Sequence, residues 1–112
     1  MGKLNEITDE NFKKEVLSSS KPYCVTYSAL SFCAPCKILH KTLTDEVVNH
    51  PIANEVNFGA VATEDKGVNI SSAAGIRSVP TTIIYKGGEP VAQKIGAVPA
   101  QVFISWVKES IV

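Results

Sequence analysis

Apolar and polar positions along the chain alternate between helical and strand periods. Over residues 7–18, Thr8 is placed to cap a helix, Asp9 and Glu10 suit its electropositive first turn, and Ile7 can pack across the cap onto Phe12. Phe12, Val16 and Leu17 then share one face, which predicts a first helix. Ser18-Ser19-Ser20 and Pro22 break it, and the β-branched and aromatic run from Tyr23 to Tyr27 predicts a buried strand. Pro35 suits the first turn of a second helix, whose apolar positions Ile38, Leu39, Leu43, Val47 and Val48 recur at helical spacing before Pro51. Residues 56–62 read as a second strand, and residues 69–75 as a short helix closed by Gly75. Thr81 to Tyr85 is the clearest strand. Lys86-Gly87-Gly88-Glu89 supplies a tight turn, because two adjacent glycines accept positive φ, and residues 91–95 return as its antiparallel partner. Pro99 opens a last helix with Val102, Phe103, Trp106, Val107 and Ile111 along one stripe.

Helix and strand alternate in the first half, which implies parallel crossovers, and the closing hairpin implies an antiparallel edge. The expected class is α/β, with helices on both faces of one mixed sheet. A chain of 112 residues supports one core, so residues 1–112 are read as a single domain. Apolar residues make up 45% and charged residues 20%, an ordinary globular balance. Lys plus Arg equals Asp plus Glu at 11 each, so no net field attracts nucleic acid or an anionic membrane. No apolar run approaches the roughly 18 residues needed to span a bilayer, and the N-terminus has no secretory pattern. A cytoplasmic monomer without membrane or nucleic-acid partners is expected.

Three cysteines, an odd and low count, argue for reactive or buried thiols rather than a disulfide-stapled scaffold. In Phe32-Cys33-Ala34-Pro35-Cys36-Lys37, two thiols three positions apart lie on one side of a helical turn, with the first at its open end. Unpaired N–H groups and the helix dipole there favour a thiolate at Cys33, below the free cysteine value of about 8.5. Cys33 is thus the expected nucleophile and Cys36, one turn deeper, the resolving thiol. Two other readings stand beside this one. Cys24 and His40 could complete a zinc site with the pair, although Cys24 falls within a strand and no second such pair follows. The pair could also be inert core. Cys24 is read as a small buried hydrophobe, and His40 and His50 as a helix-surface and a loop residue.

With these elements in place, the chain resembles the thioredoxin family over nearly its whole length. Phe32-Cys33-Ala34-Pro35-Cys36-Lys37 is similar to the family's Trp-Cys-Gly-Pro-Cys-Lys, and Gly75-Ile76-Arg77-Ser78-Val79-Pro80-Thr81 to its Gly-Ile-Arg-Gly-Ile-Pro-Thr. Lys86-Gly87-Gly88-Glu89 and Lys94-Ile95-Gly96-Ala97 match the turn and glycine motifs that follow. The resemblance implies a thioredoxin fold, a central mixed sheet of four to five strands flanked by about four helices. It implies a cis Val79–Pro80 peptide beside the cysteines, and a docking patch made by Phe32, Ala34, Pro35, Val79, Pro80, Gly96 and Ala97. It further implies a protein-disulfide reductase that needs no bound cofactor or metal, acts on disulfide-containing proteins, and receives electrons from a thioredoxin reductase. A specialised redox partner, or a non-redox binding module using the patch around Pro80 and Gly96, is the alternative. The chain departs from the family in Ala34, in Phe32, and in a connection before Cys33 that counts one residue long. The family's buried Asp and Lys align with Thr26 and Val61, and loss of that pair implies slower attack by Cys36.

Overall fold

Six consecutive residues, Tyr23–Ser28, are all buried and form the middle strand of a five-stranded sheet in the computed structural model, which describes residues 2–112. The strands are β1 (Leu4–Ile7), β2 (Tyr23–Ser28), β3 (Asn57–Ala62), β4 (Thr81–Lys86) and β5 (Glu89–Ile95). Their spatial order is β1-β3-β2-β4-β5, parallel across β1, β3 and β2 and antiparallel from β2 to β4 to β5. Three α-helices, α1 (Ala34–Asp45), α2 (Val68–Ala73) and α3 (Ala100–Ser110), are accompanied by a π-type turn at Lys13–Leu17 between β1 and β2 and by 3₁₀ turns at Val47–Asn49 and Pro51–Asn54 after α1. This is a thioredoxin fold.

Strand alternation divides the core in two. Cys24, Phe58 and Ile84 point to the face covered by α1 and α3, where Leu39, Leu43, Phe103, Ile104 and Val107 pack on them. Tyr23, Val25, Tyr27, Val61, Ile83 and Tyr85 point to the other face, covered by Val16 and Phe12 of the N-terminal segment and by Ile70 of α2. Between β4 and β5, Gly87 and Gly88 adopt φ of 62° and 82°, as the twist of a two-residue hairpin turn demands.

Several expectations change. The chain starts with an edge strand, β1, which four residues of mixed burial do not announce by period. The first helix is shorter than residues 7–18. Thr8 and Asn11 bond reciprocally, Asn11 N–H donating to Thr8 Oγ1 (3.3 Å) and Thr8 N–H to Asn11 Oδ1 (2.8 Å). They close a turn ahead of the helix, however, which begins at Lys13 with Phe12 at its N-cap and no side-chain cap, and Ile7 closes β1. Leu17 is exposed, because the wider π turn rotates it off the face that Phe12 and Val16 bury. Ile38 is 63% exposed, since α1 faces the sheet through Cys36, Leu39 and Leu43. Val47 and Val48 are buried from a separate 3₁₀ turn. In α3, Val102 lies in solvent and Ile104 takes its place in the core.

Candidate active site

The end of β2 feeds a short turn that delivers Cys33 to the start of α1. Phe32 and Cys33 both donate backbone N–H to Ala29 O (3.3 and 3.0 Å), which closes the turn. Cys33 is the N-cap, in extended conformation, and Pro35 sits in the first turn, where its missing N–H is no loss. The Cys33 sulfur does the work usually given to a serine or aspartate oxygen: it accepts the Cys36 backbone N–H at 3.2 Å. That donor and the helix dipole favour negative charge on Cys33 once the thiol is free.

Cys33 and Cys36 form a disulfide, their Cα atoms 5.2 Å apart. They differ in surroundings. Cys33 is 9% exposed at the rim, with its sulfur 3.6 Å from Val79 O, whereas Cys36 is fully buried and its sulfur lies 3.5 Å from the Ala29 N–H. Ala29, Cys33, Cys36 and Val79 pack as a small cluster of their own. Cys24 stays apart on β2 beneath α1 and α3, and complete burial pushes its thiol far above the ordinary cysteine range, which leaves it inert. Among the described residues, no three His, Cys, Asp or Glu side chains converge as a metal site would need.

The other residues expected at the site lie in the following surroundings. The Val79–Pro80 peptide is cis, with Pro80 buried and Val79 half-buried. Gly96, at φ 94°, donates its N–H to Pro80 O (2.8 Å), which ties the end of β5 to the proline. Ala97 is exposed beyond it. On the opposite side Phe32 is 73% exposed and Ala34 and Pro35 are also exposed. Ile38, one of the apolar positions that set the helical period, adds a further exposed apolar side chain one turn along α1.

One expectation about this region is corrected. Thr26 and Val61 do not share a face: Thr26 pairs with Ala60 and Val61 with Tyr27, so the two side chains point to opposite sides of the sheet. Thr26 is spent on a buried hydrogen bond to Thr82 (Oγ1 to Oγ1, 2.9 Å). The residue beside Val61 is Tyr27, and the family's carboxylate position passes to it. The connection to Cys33, counted from Tyr27, is then one residue shorter than from Thr26, which removes the extra residue.

Two contacts that hold the turn had no signal in the sequence. Thr63 donates N–H and Oγ1–H to Ser28 O (2.9 and 3.1 Å), and Glu64 accepts from Ser31. Both join residues more than 30 positions apart, beyond the reach of any local pattern.

The family model for thioredoxin matches residues 3–109. A thioredoxin of Chlorobaculum thiosulfatiphilum is 37% identical over 113 residues, covering 98% of both chains. A thioredoxin of Rickettsia felis is 37% identical over 107 residues, covering 96% of this chain and 98% of its own. Among solved structures, a thioredoxin of Malassezia sympodialis superposes with a TM-score of 0.84 at 25% identity, covering 98% of this chain and 93% of the other.

Proposed function

The chain belongs to the thioredoxin family and is a protein-disulfide oxidoreductase, and from that premise we propose that it works as a reductase with Cys33 as nucleophile and Cys36 as resolving thiol. Family membership implies disulfide-containing substrates and a reductase as electron donor in general terms. The finer reading is a flavin- and NADPH-dependent thioredoxin reductase as donor, and a single monomeric thioredoxin-like domain over residues 1–112 acting in the cytoplasm. No helix among the described residues is long and apolar enough to cross a membrane, which is compatible with that location.

The observation that carries the assignment of roles is the asymmetry of the two sulfurs: Cys33 at the rim, accepting a helix N-terminal N–H, and Cys36 fully buried. A Cys33 thiolate attacks one sulfur of a substrate disulfide, forms a mixed disulfide and releases the other sulfur as a thiolate. The Cys36 thiolate then attacks the Cys33 sulfur. The Cys33–Cys36 bond re-forms, the substrate leaves as a dithiol after taking up two protons, and two electrons have passed to it. Phe32, Ala34, Pro35, Val79, Pro80, Gly96 and Ala97 are assigned to substrate docking. Support comes from the exposure of the first three beside the disulfide and from the Gly96–Pro80 hydrogen bond that brings the last elements to it.

A glutathione redox titration combined with insulin reduction in the presence of a thioredoxin reductase tests this reading. A potential near the thioredoxin value of about −270 mV, with turnover, is expected. A much less negative potential without turnover would make the protein an oxidant or a dedicated partner. Full biological activity in a Cys33→Ser, Cys36→Ser double variant would make it a binding module.

A further inference from the structure

Ser31 stands in the middle of the turn that carries Cys33, and Glu64, in the loop after β3, grips it from outside. One carboxylate oxygen of Glu64, Oε2, accepts both the Ser31 hydroxyl (2.6 Å) and the Ser31 backbone N–H (3.3 Å). Its neighbour Thr63 donates twice to Ser28 O, so consecutive residues fasten both the entry and the crest of the segment from Ser28 to Ser31. The inner groups of the same turn point at the redox centre. Ala29 N–H is directed at Cys36 Sγ, and Ala29 O accepts the Cys33 N–H. The Ser31 donors hold the Glu64 carboxyl below the ordinary carboxylate range, which keeps it an ionised, charge-assisted acceptor at neutral pH.

We propose that Glu64 is a positioning residue for disulfide exchange, holding the turn through Ser31 so that the Ala29 amide stays on the sulfur of Cys36. The proposal rests on the exchange reading above. Cys36 must become a thiolate to resolve a mixed disulfide, yet it is fully buried, and burial disfavours the charged form. β2 beneath it, from Tyr23 to Ser28, supplies no carboxylate or ammonium. An N–H donated to the sulfur favours the thiolate and offsets part of that cost, provided the turn cannot drift. In the step concerned, the Cys36 thiolate forms a bond to the Cys33 sulfur. The bond from Cys33 to the substrate sulfur breaks, and its electron pair leaves on the substrate thiolate.

Reaction of the fully reduced chain with 5,5′-dithiobis(2-nitrobenzoate) separates the two steps. Attack by Cys33 releases one coloured thiolate, and attack by Cys36 on the resulting mixed disulfide releases a second. Stopped-flow absorbance, at a pH low enough to resolve both phases, is expected to show Glu64→Ala and Ser31→Ala each slowing the second phase roughly threefold to tenfold, the span of one lost hydrogen bond, with the first phase unchanged. The double variant slows it no further than either single variant. Glu64→Gln, whose amide oxygen accepts the same two bonds, keeps the native second phase. Native second-phase rates in the alanine variants, equal slowing of both phases, additive singles, or a glutamine variant as slow as the alanine one would each overturn the proposal. Failure of the unmodified chain to release a second thiolate would instead overturn the exchange reading itself.

Discussion

Tyr27 and Tyr85 meet hydroxyl to hydroxyl at 2.6 Å inside the face covered by α2, where each is the other's partner. Removing one oxygen strands the other without water, so Tyr85→Phe is expected to cost about 1–3 kcal/mol in urea unfolding. The double variant Tyr27→Phe, Tyr85→Phe removes both polar groups and recovers much of that loss. All three tyrosines of the chain are buried, and burial raises each phenol, Tyr23 to about 12 and Tyr27 and Tyr85 also upward. Above pH 10 the unfolded chain therefore releases phenolic protons that the folded chain keeps. Stability contributed by these groups is complete below pH 10 and is lost as pH rises from there. Phenolate absorbance and the loss of far-ultraviolet circular dichroism are expected to rise together in alkaline titration. Phenolate appearing while the fold is intact would show that the tyrosines are wetter than their burial implies. Cys24 behaves alike: alkylation of the reduced native protein is expected to label Cys33 first and Cys36 slowly, and to reach Cys24 only on unfolding.

Among the elements, the β4–β5 hairpin shows most plainly which feature is local and which is not. Gly87 and Gly88 both need positive φ, which any chain reader infers from two glycines between strands. Only Gly88 also lies against another element: a Cβ there would come within 3.1 Å of Leu17 O, whereas one on Gly87 meets nothing. Gly87→Ala is expected to cost about 1–2 kcal/mol from backbone strain, and Gly88→Ala distinctly more, as the difference in urea midpoints will show. The same division runs through the helices. Pro35 and Pro99 mark helix starts by chemistry acting within one turn, and their positions are readable from sequence, whereas the turn that Thr8 closes precedes its helix by several residues. Which of Leu17, Ile38 and Val102 reach the core is not, because a helix has several plausible apolar stripes and its neighbours select one.

For the molecule as a whole, the sheet order puts β2 at the centre, buried on both faces and paired on both edges, while β5 is an edge strand with mostly exposed side chains. Amide exchange is expected to be slowest in β2 and fast along the outer side of β5. Equal protection in the two strands would contradict that hierarchy. By itself the sequence determined the α/β class, four of the five strands, the cysteine pair at a helix start and the family, since each depends on a period or motif contained in a few neighbouring residues. The tertiary structure alone decided the edge strand β1, the pairing that sets Tyr27 rather than Thr26 beside Val61, and the grip of Glu64 on Ser31. Those three depend on strand register and on contacts between distant segments, which are fixed by packing across the whole core and leave no period in the chain.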